Sequence, residues 1–162
     1  ANTRSVPLNF TMIPERLKQL DYTSHAIGKW HLGMFTRQAV PTGKGFDTYL
    51  GYYGGAEDYY SHEVKSANDM HMDNDKDLEP LLSNKGEYST FIYAKRAIKV
   101  INDFVETREA DSDAPQSLFM YLAFQAIHSP DQVPESYEVP FKDTIPDTPD
   151  GVGQHRRIVA GM

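Results

Sequence analysis

Two short stretches of this chain carry residue types suited to acid–base or anion chemistry. The first is Gly28-Lys29-Trp30-His31-Leu32-Gly33. Lysine supplies a compact positive charge, and histidine supplies a hydrogen-bond donor or a proton near neutral pH. Residues two apart on an extended segment point to one side, and flanking glycines let a ligand approach the backbone closely. That combination suits an anion. It equally suits an ordinary glycine-bounded turn with a packed tryptophan. The second stretch is Gln125-Ala126-Ile127-His128-Ser129-Pro130, where a histidine comes after an apolar run. On its own, it fits a loop histidine with a hydrogen bond just as well. Two strand-end histidines and a nearby lysine together would make a site for a dianionic oxyester.

Those residues need a scaffold. Residues 22 to 27 alternate and read as a strand ending at Gly28, which makes 28 to 33 a loop at its carboxyl end. Residues 14 to 20 read as a short helix, with Thr11 as cap and Pro14 in the first turn. A further strand is expected over 46 to 53, and residues 54 to 88 read as a polar excursion over the surface. From 89 to 108, Phe91, Ala94, Ile98, Ile101 and Val105 recur every three or four positions, the mark of a helix with one apolar stripe. Ser89 or Thr90 would cap it. Residues 118 to 124 are apolar and read as a strand of a parallel sheet buried on both faces. Residues 129 to 150 form a Pro-rich loop, and a helix begins near Met162. Strand, helix, strand is the order of a layered α/β fold, and ligands in such sheets gather at the carboxyl ends of the strands.

Composition narrows the field. A net charge of -7 without a basic cluster excludes a general binder of nucleic acid, whose phosphates demand a basic face. With no cysteine, neither disulfides nor thiolate metal sites can form. No apolar run is long enough to span a membrane. Asn9-Phe10-Thr11 is a glycosylation sequon and points towards a secretory route. The run Asp73-Asn74-Asp75-Lys76-Asp77 has the look of a calcium loop, but its sixth position is Leu78 and its twelfth Asn84. It fails the EF-hand pattern and reads as a solvated acidic loop.

Gly28-Lys29-Trp30-His31-Leu32-Gly33, preceded by Leu20-Asp21-Tyr22-Thr23, resembles the second signature of type I sulfatases. Pro41-Thr42, Gly45-Phe46-Asp47-Thr48-Tyr49 and Glu57-Asp58-Tyr59-Tyr60-Ser61-His62-Glu63 resemble the segment after that signature in the arylsulfatase B group. Lys95-Arg96-Ala97-Ile98, Leu122-Ala123-Phe124-Gln125 leading to His128, Val133-Pro134 and Ala160-Gly161-Met162 continue the likeness in order.

The resemblance implies an alkaline phosphatase-like sulfatase fold, α/β, with a mixed sheet flanked by helices and only partly contained in this chain. Residues 1–162 would be the central part of a sulfatase catalytic domain, truncated at both ends. The resemblance further implies hydrolysis of sulfate esters, with sulfated small molecules or glycans as substrates, by a formylglycine nucleophile with Ca2+. By position, Lys29 would hold the sulfate. His31 would contact the hydrated aldehyde and help release sulfate, and His128 would bind the ester and protonate the departing oxygen. Ser61 matches a position that can lie near sulfate, although a surface serine explains it more simply.

The chain also departs from the pattern. Ser5-Val6-Pro7 is followed by Leu8-Asn9, so the nucleophile motif Cys/Ser-x-Pro-x-Arg is missing. The nucleophile and the calcium ligands are therefore expected outside this segment, and the segment alone should be inactive. Its strands would lack neighbours, so it should fold poorly by itself. Two rival readings stay open: a noncatalytic anion- or glycan-binding protein, and a phosphoesterase of the same superfamily. A lysosomal or secreted location follows from the resemblance and Asn9.

Overall fold

A computed structural model describes residues 4–74, 77–111 and 113–162. The first helix, α1 (Ile13–Leu17), continues as a tighter turn over Lys18–Leu20. Its cap is Met12 rather than Thr11. The Met12 N–H donates to the Glu15 carboxylate at 2.7 Å, half of a capping box. Asp21 then takes a left-handed conformation and turns the chain into β1 (Tyr22–Lys29). This strand runs two residues further than its alternation suggested, so Lys29 ends the strand instead of opening the loop.

The next strands are β2 (Thr48–Tyr52), a small ribbon of β3 (Glu63–Val64) and β4 (Ala67–Asn68), β5 (Met70–Asn74) and β6 (Leu78–Pro80). Helix α2 (Ser89–Ala110) leads to β7 (Ser117–Ala123), and α3 (Glu135–Glu138) and α4 (Val152–Gly161) complete the chain. The main sheet has the order β6-β5-β2-β1-β7. Strands β7, β1 and β2 are parallel, whereas β5 and β6 add antiparallel neighbours. The sheet is mixed, as the resemblance implied.

Alternation along the strands divides the core in two. Ile27, Leu50, Tyr52 and Met70 face Ile92, Tyr93, Ala97 and Val100 of α2. Ala26, Tyr49 and Tyr53 face the other way and pack with Trp30, Val40 and Phe46. At the register Ala123–Gly28–Gly51 three parallel strands cross through small residues. Gly28 sits at φ 94°, and a Cβ there would lie 1.9 Å from the Ala123 carbonyl oxygen. Only glycine permits that approach, which brings the carboxyl ends of the three strands together beside Lys29.

Several expectations need correction. Residues 54 to 88 are no mere excursion: β5 and β6 extend the sheet, and Tyr59 and Met70 are fully buried. Asp73 belongs to β5 and is 2% exposed, accepting a hydrogen bond from the Tyr53 hydroxyl. It is no solvated loop residue, while Asp75 and Lys76 lie outside the described residues. The stripe Phe91, Ile98, Ile101 and Val105 faces outward, with Ile98 60% exposed. The buried face is the neighbouring one, Ile92, Tyr93, Ala97 and Val100. Tyr88 caps α2, and neither Ser89 nor Thr90 does so. Strand β7 pairs only with β1 among the described residues, and Tyr121, Leu122 and Phe124 are exposed, so it is not covered on both faces. The Pro-rich stretch contains α3 and a turn over Val139–Phe141, and α4 begins at Val152.

Candidate active site at the carboxyl edge

Beyond Lys29, backbone pairing with the chain after β2 continues for two residues. The N–H groups of Trp30 and His31 donate to the carbonyls of Tyr52 and Tyr53, both at 3.1 Å. Trp30 is 3% exposed, its indole N–H shared between the carbonyls of Gly33 and Ala39 at 2.9 Å each. The packed tryptophan is therefore real, and it anchors the turn that carries the charged pair. His31 itself adopts φ 53°, a left-handed conformation that costs a non-glycine residue roughly 1 kcal/mol or more. The extended geometry that would align Lys29 with His31 thus ends at Trp30.

His31 is exposed and Lys29 half-buried. Among the described residues the Lys29 ammonium has no hydrogen-bond or ion-pair partner. His31 lines a cleft of about 560 Å³ with Arg4, Phe35, Tyr53, Gly54 and Gly55. Lys29 and His128 do not line that cleft. They share the sheet edge with it. Gly55 backs directly onto the imidazole, since a Cβ there would lie 2.9 Å from its Cε1. Asp69 holds this turn by accepting the Gly54 N–H at 2.7 Å. Burial pushes its carboxyl up to about 6, with help from the charge of Glu57, against the pull of the Gly54 and Tyr53 N–H groups.

His128 lies five residues past the end of β7, exposed, in a loop with cis peptides at Ala126–Ile127 and Ser129–Pro130. Its Nδ1 is 2.8 Å from the Ser129 carbonyl oxygen. A carbonyl only accepts, so Nδ1 carries hydrogen and Nε2 is left to face a ligand. The loop is tied down by bonds the sequence did not reveal. Tyr59 donates its hydroxyl to the His128 carbonyl at 3.1 Å, and Gln125 donates to the Glu57 carbonyl at 2.5 Å.

Beneath lies a buried polar cluster. Glu57 is 2% exposed and accepts the Tyr93 hydroxyl at 2.8 Å. His62 Nε2 donates to the Asn84 carbonyl at 3.0 Å, which turns Nδ1 towards Glu57, 3.8 Å away. Burial lowers the His62 pKa, but Glu57 and the Asn84 carbonyl outweigh it, so the net shift is upward. Ser61, half-buried, gives its N–H to Asp58 at 2.7 Å. Asn9 is exposed in a turn. Sequence reasoning passed over Arg4, Tyr59, Glu57 and Gln132. For Tyr59 and Glu57 the available signal was their place in the Glu57-Asp58-Tyr59-Tyr60 stretch already singled out.

The chain is an α/β protein with a mixed sheet, and it carries a lysine and two histidines at the carboxyl ends of its parallel strands, groups of the kind that can bind an anion. The particular family follows from comparison. The sulfatase family model matches residues 2–158, and the chain belongs to that family. It is 34% identical over 142 residues to arylsulfatase J of Mus musculus, covering 86% of this chain and 22% of that protein. Against N-acetylgalactosamine-6-sulfatase of Mus musculus it is 30% identical over 131 residues, 77% of this chain and 24% of that protein. The chain thus spans about a quarter of the length of such relatives. Among solved structures, Ps i-CgsB in complex with k-i-k-neocarrahexaose superposes with a TM-score of 0.77 at 23% identity, over 100% of this chain and 35% of that one. This shared fold extends to BT4656 in complex with D-glucosamine-2-N,6-O-disulfate, at a TM-score of 0.57 and 23% identity, over 92% of this chain and 25% of that one.

Proposed function

We propose that residues 1–162 are the central part of a sulfatase catalytic domain and that the complete protein hydrolyses sulfate esters, those of sulfated glycans in particular. The match to the sulfatase family over residues 2–158 carries this reading, with Lys29, His31 and His128 at one sheet edge as its chemical counterpart. Relatives that bear sulfatase names, and neighbours of the same fold bound to sugars, support the substrate class.

In this reading Lys29 draws in a sulfuryl oxygen and offsets negative charge as it builds. When the S–O ester bond breaks, its electron pair stays on the sugar oxygen. His128 acts here as the imidazolium, its Nδ1–H kept on the Ser129 carbonyl, and passes its Nε2 proton to that oxygen, because an alkoxide leaves poorly without one. His31 moves a proton on the nucleophile's side of the site. A formylglycine, supplied from outside these residues, would provide the attacking oxygen. Among the described residues no group of three or more His, Cys, Asp or Glu could hold a metal ion. In this reading a calcium ion takes its ligands outside these residues, as the resemblance implies, and no step here runs through it. Asn9, exposed on its turn, supports glycosylation and a secreted or lysosomal location. Among the described residues no helix is long and apolar enough to cross a membrane.

The test uses the full-length protein, expressed with its flanking coding sequence in a secretory host. It should turn over 4-nitrophenyl sulfate and a sulfated monosaccharide in preference to 4-nitrophenyl phosphate. Lys29→Ala should lower kcat/KM by about 10²-fold or more. Preference for the phosphate ester, or an undiminished Lys29→Ala enzyme, would overturn the proposal. An unchanged mass after endoglycosidase treatment would remove Asn9 from its support.

A further inference from the structure

The loop bearing His128 is fastened to a segment 69 to 74 residues earlier in the chain. Gln132 is the fastener. Its Oε1 accepts the Tyr59 N–H at 2.8 Å, and its Nε2 donates to Asp58 Oδ2 at 2.7 Å. The orientation of the carboxamide is unambiguous, because an N–H needs an acceptor and a carboxylate needs a donor. Burial raises the Asp58 pKa, but bonds from Ser61, Gln132 and Tyr60 outweigh it and keep the group a carboxylate. Tyr59, fully buried, returns the link by donating its hydroxyl to the His128 carbonyl. Burial pushes that hydroxyl up to about 12, so it remains a donor at working pH. Tyr88 stacks on Tyr59 at 5.4 Å and donates to the Gln132 carbonyl at 3.0 Å, closing the assembly.

We propose that Gln132, acting with Tyr59 and Asp58, is a positioning residue for His128 that sets where its imidazole meets the leaving oxygen. This rests on the sulfatase reading above. His128 is exposed, and among the described residues its side chain bonds only to the adjacent Ser129 carbonyl. Its place in the site is therefore inherited from the loop, which Gln125 holds at its start through the Glu57 carbonyl and these three side chains hold around His128 itself. Proton delivery is sensitive to such placement, because a shift near 1 Å can cost about 10²-fold in rate.

Two sulfate esters with different leaving groups separate positioning from plain structural support. A sugar alkoxide needs the proton from His128, whereas 4-nitrophenolate leaves readily without it. In the full-length enzyme, Gln132→Leu should lower kcat on a sulfated monosaccharide about 10-fold or more, with KM within about twofold. Turnover of 4-nitrophenyl sulfate should stay within about threefold of wild type. Tyr59→Phe removes one hydroxyl and should act in the same direction, more weakly. It decides between the two if Gln132→Leu does not fold. Equal losses on both esters, or none on either, would overturn the proposal. If the wild-type protein cleaves no sulfate ester, the sulfatase reading fails, and the clasp is then judged by the NMR resonance of the His128 ring. A shifted His128 signal in both variants upholds the clasp, and an unmoved one refutes it.

Discussion

Replacing Gly55 by alanine should damage catalysis while leaving the fold intact. A Cβ at that position would lie 2.9 Å from Cε1, 3.0 Å from Nε2 and 3.4 Å from Nδ1 of His31. Ordinary contacts fall at about 3.5–4.0 Å, so the imidazole must retreat by roughly 0.5–1 Å. The ring is exposed and free to do so. Gly55 is not among the glycines at positive φ, so alanine adds no backbone strain and should stabilise by about 0.4–1 kcal/mol through the unfolded chain. A displacement of that size at a reacting group should lower kcat about 10- to 100-fold. The assay is 4-nitrophenyl sulfate turnover by the full-length enzyme, paired with a thermal melt. The double variant with His31→Ala completes a cycle, in which Gly55→Ala should cost nothing further once the imidazole is gone. Activity within twofold of wild type, or a full additional loss in the His31→Ala background, would show that His31 is not where the chemistry depends on it.

Two further outcomes rest on burial and charge. Ile92→Ala should cost about 2–5 kcal/mol, because Ile92 is 5% exposed against the sheet. Ile98→Ala, 60% exposed on the outer stripe, should change stability by no more than about 0.5 kcal/mol. Equal denaturant midpoints for the two variants would contradict this assignment of faces. Asp69, raised to about 6 from 3.8 chiefly by burial, stabilises the fold as the neutral acid below pH 4. That contribution is lost as pH rises through 6. Asn retains the acceptor for Gly54, so the melting temperature of Asp69→Asn relative to wild type should rise by about 2–4 °C between pH 4 and pH 7.5. A difference that is flat or falls with pH would refute it.

Much of the scaffold was legible because it rests on local periodicity. Alternation marked β1, three-four spacing marked α2, the apolar run marked β7, and the strand expected over 46 to 53 is β2, each within two residues at its ends. The signature around Lys29 and His31, with His128 after β7, was likewise local in sequence, and it led to the right family. The excursion over 54 to 88 was misjudged because β5 and β6 are short and polar. They become strands only when the edge of β2 offers its N–H and C=O groups.

The amino-acid order by itself determined β1, β2, α2 and β7, the candidate residues and the carboxyl edge at which they lie, since each depends on neighbours a few positions apart. Tertiary structure alone decided which of two apolar stripes on α2 would be buried, because periodicity gives a helix two such faces and only the opposing sheet selects between them. It also decided the burial of Asp73, the left-handed turn at His31 and the fastening of the His128 loop by Gln132 and Tyr59. Those depend on groups some twenty to seventy residues apart, where chain closure, and no local preference, sets which polar atoms meet.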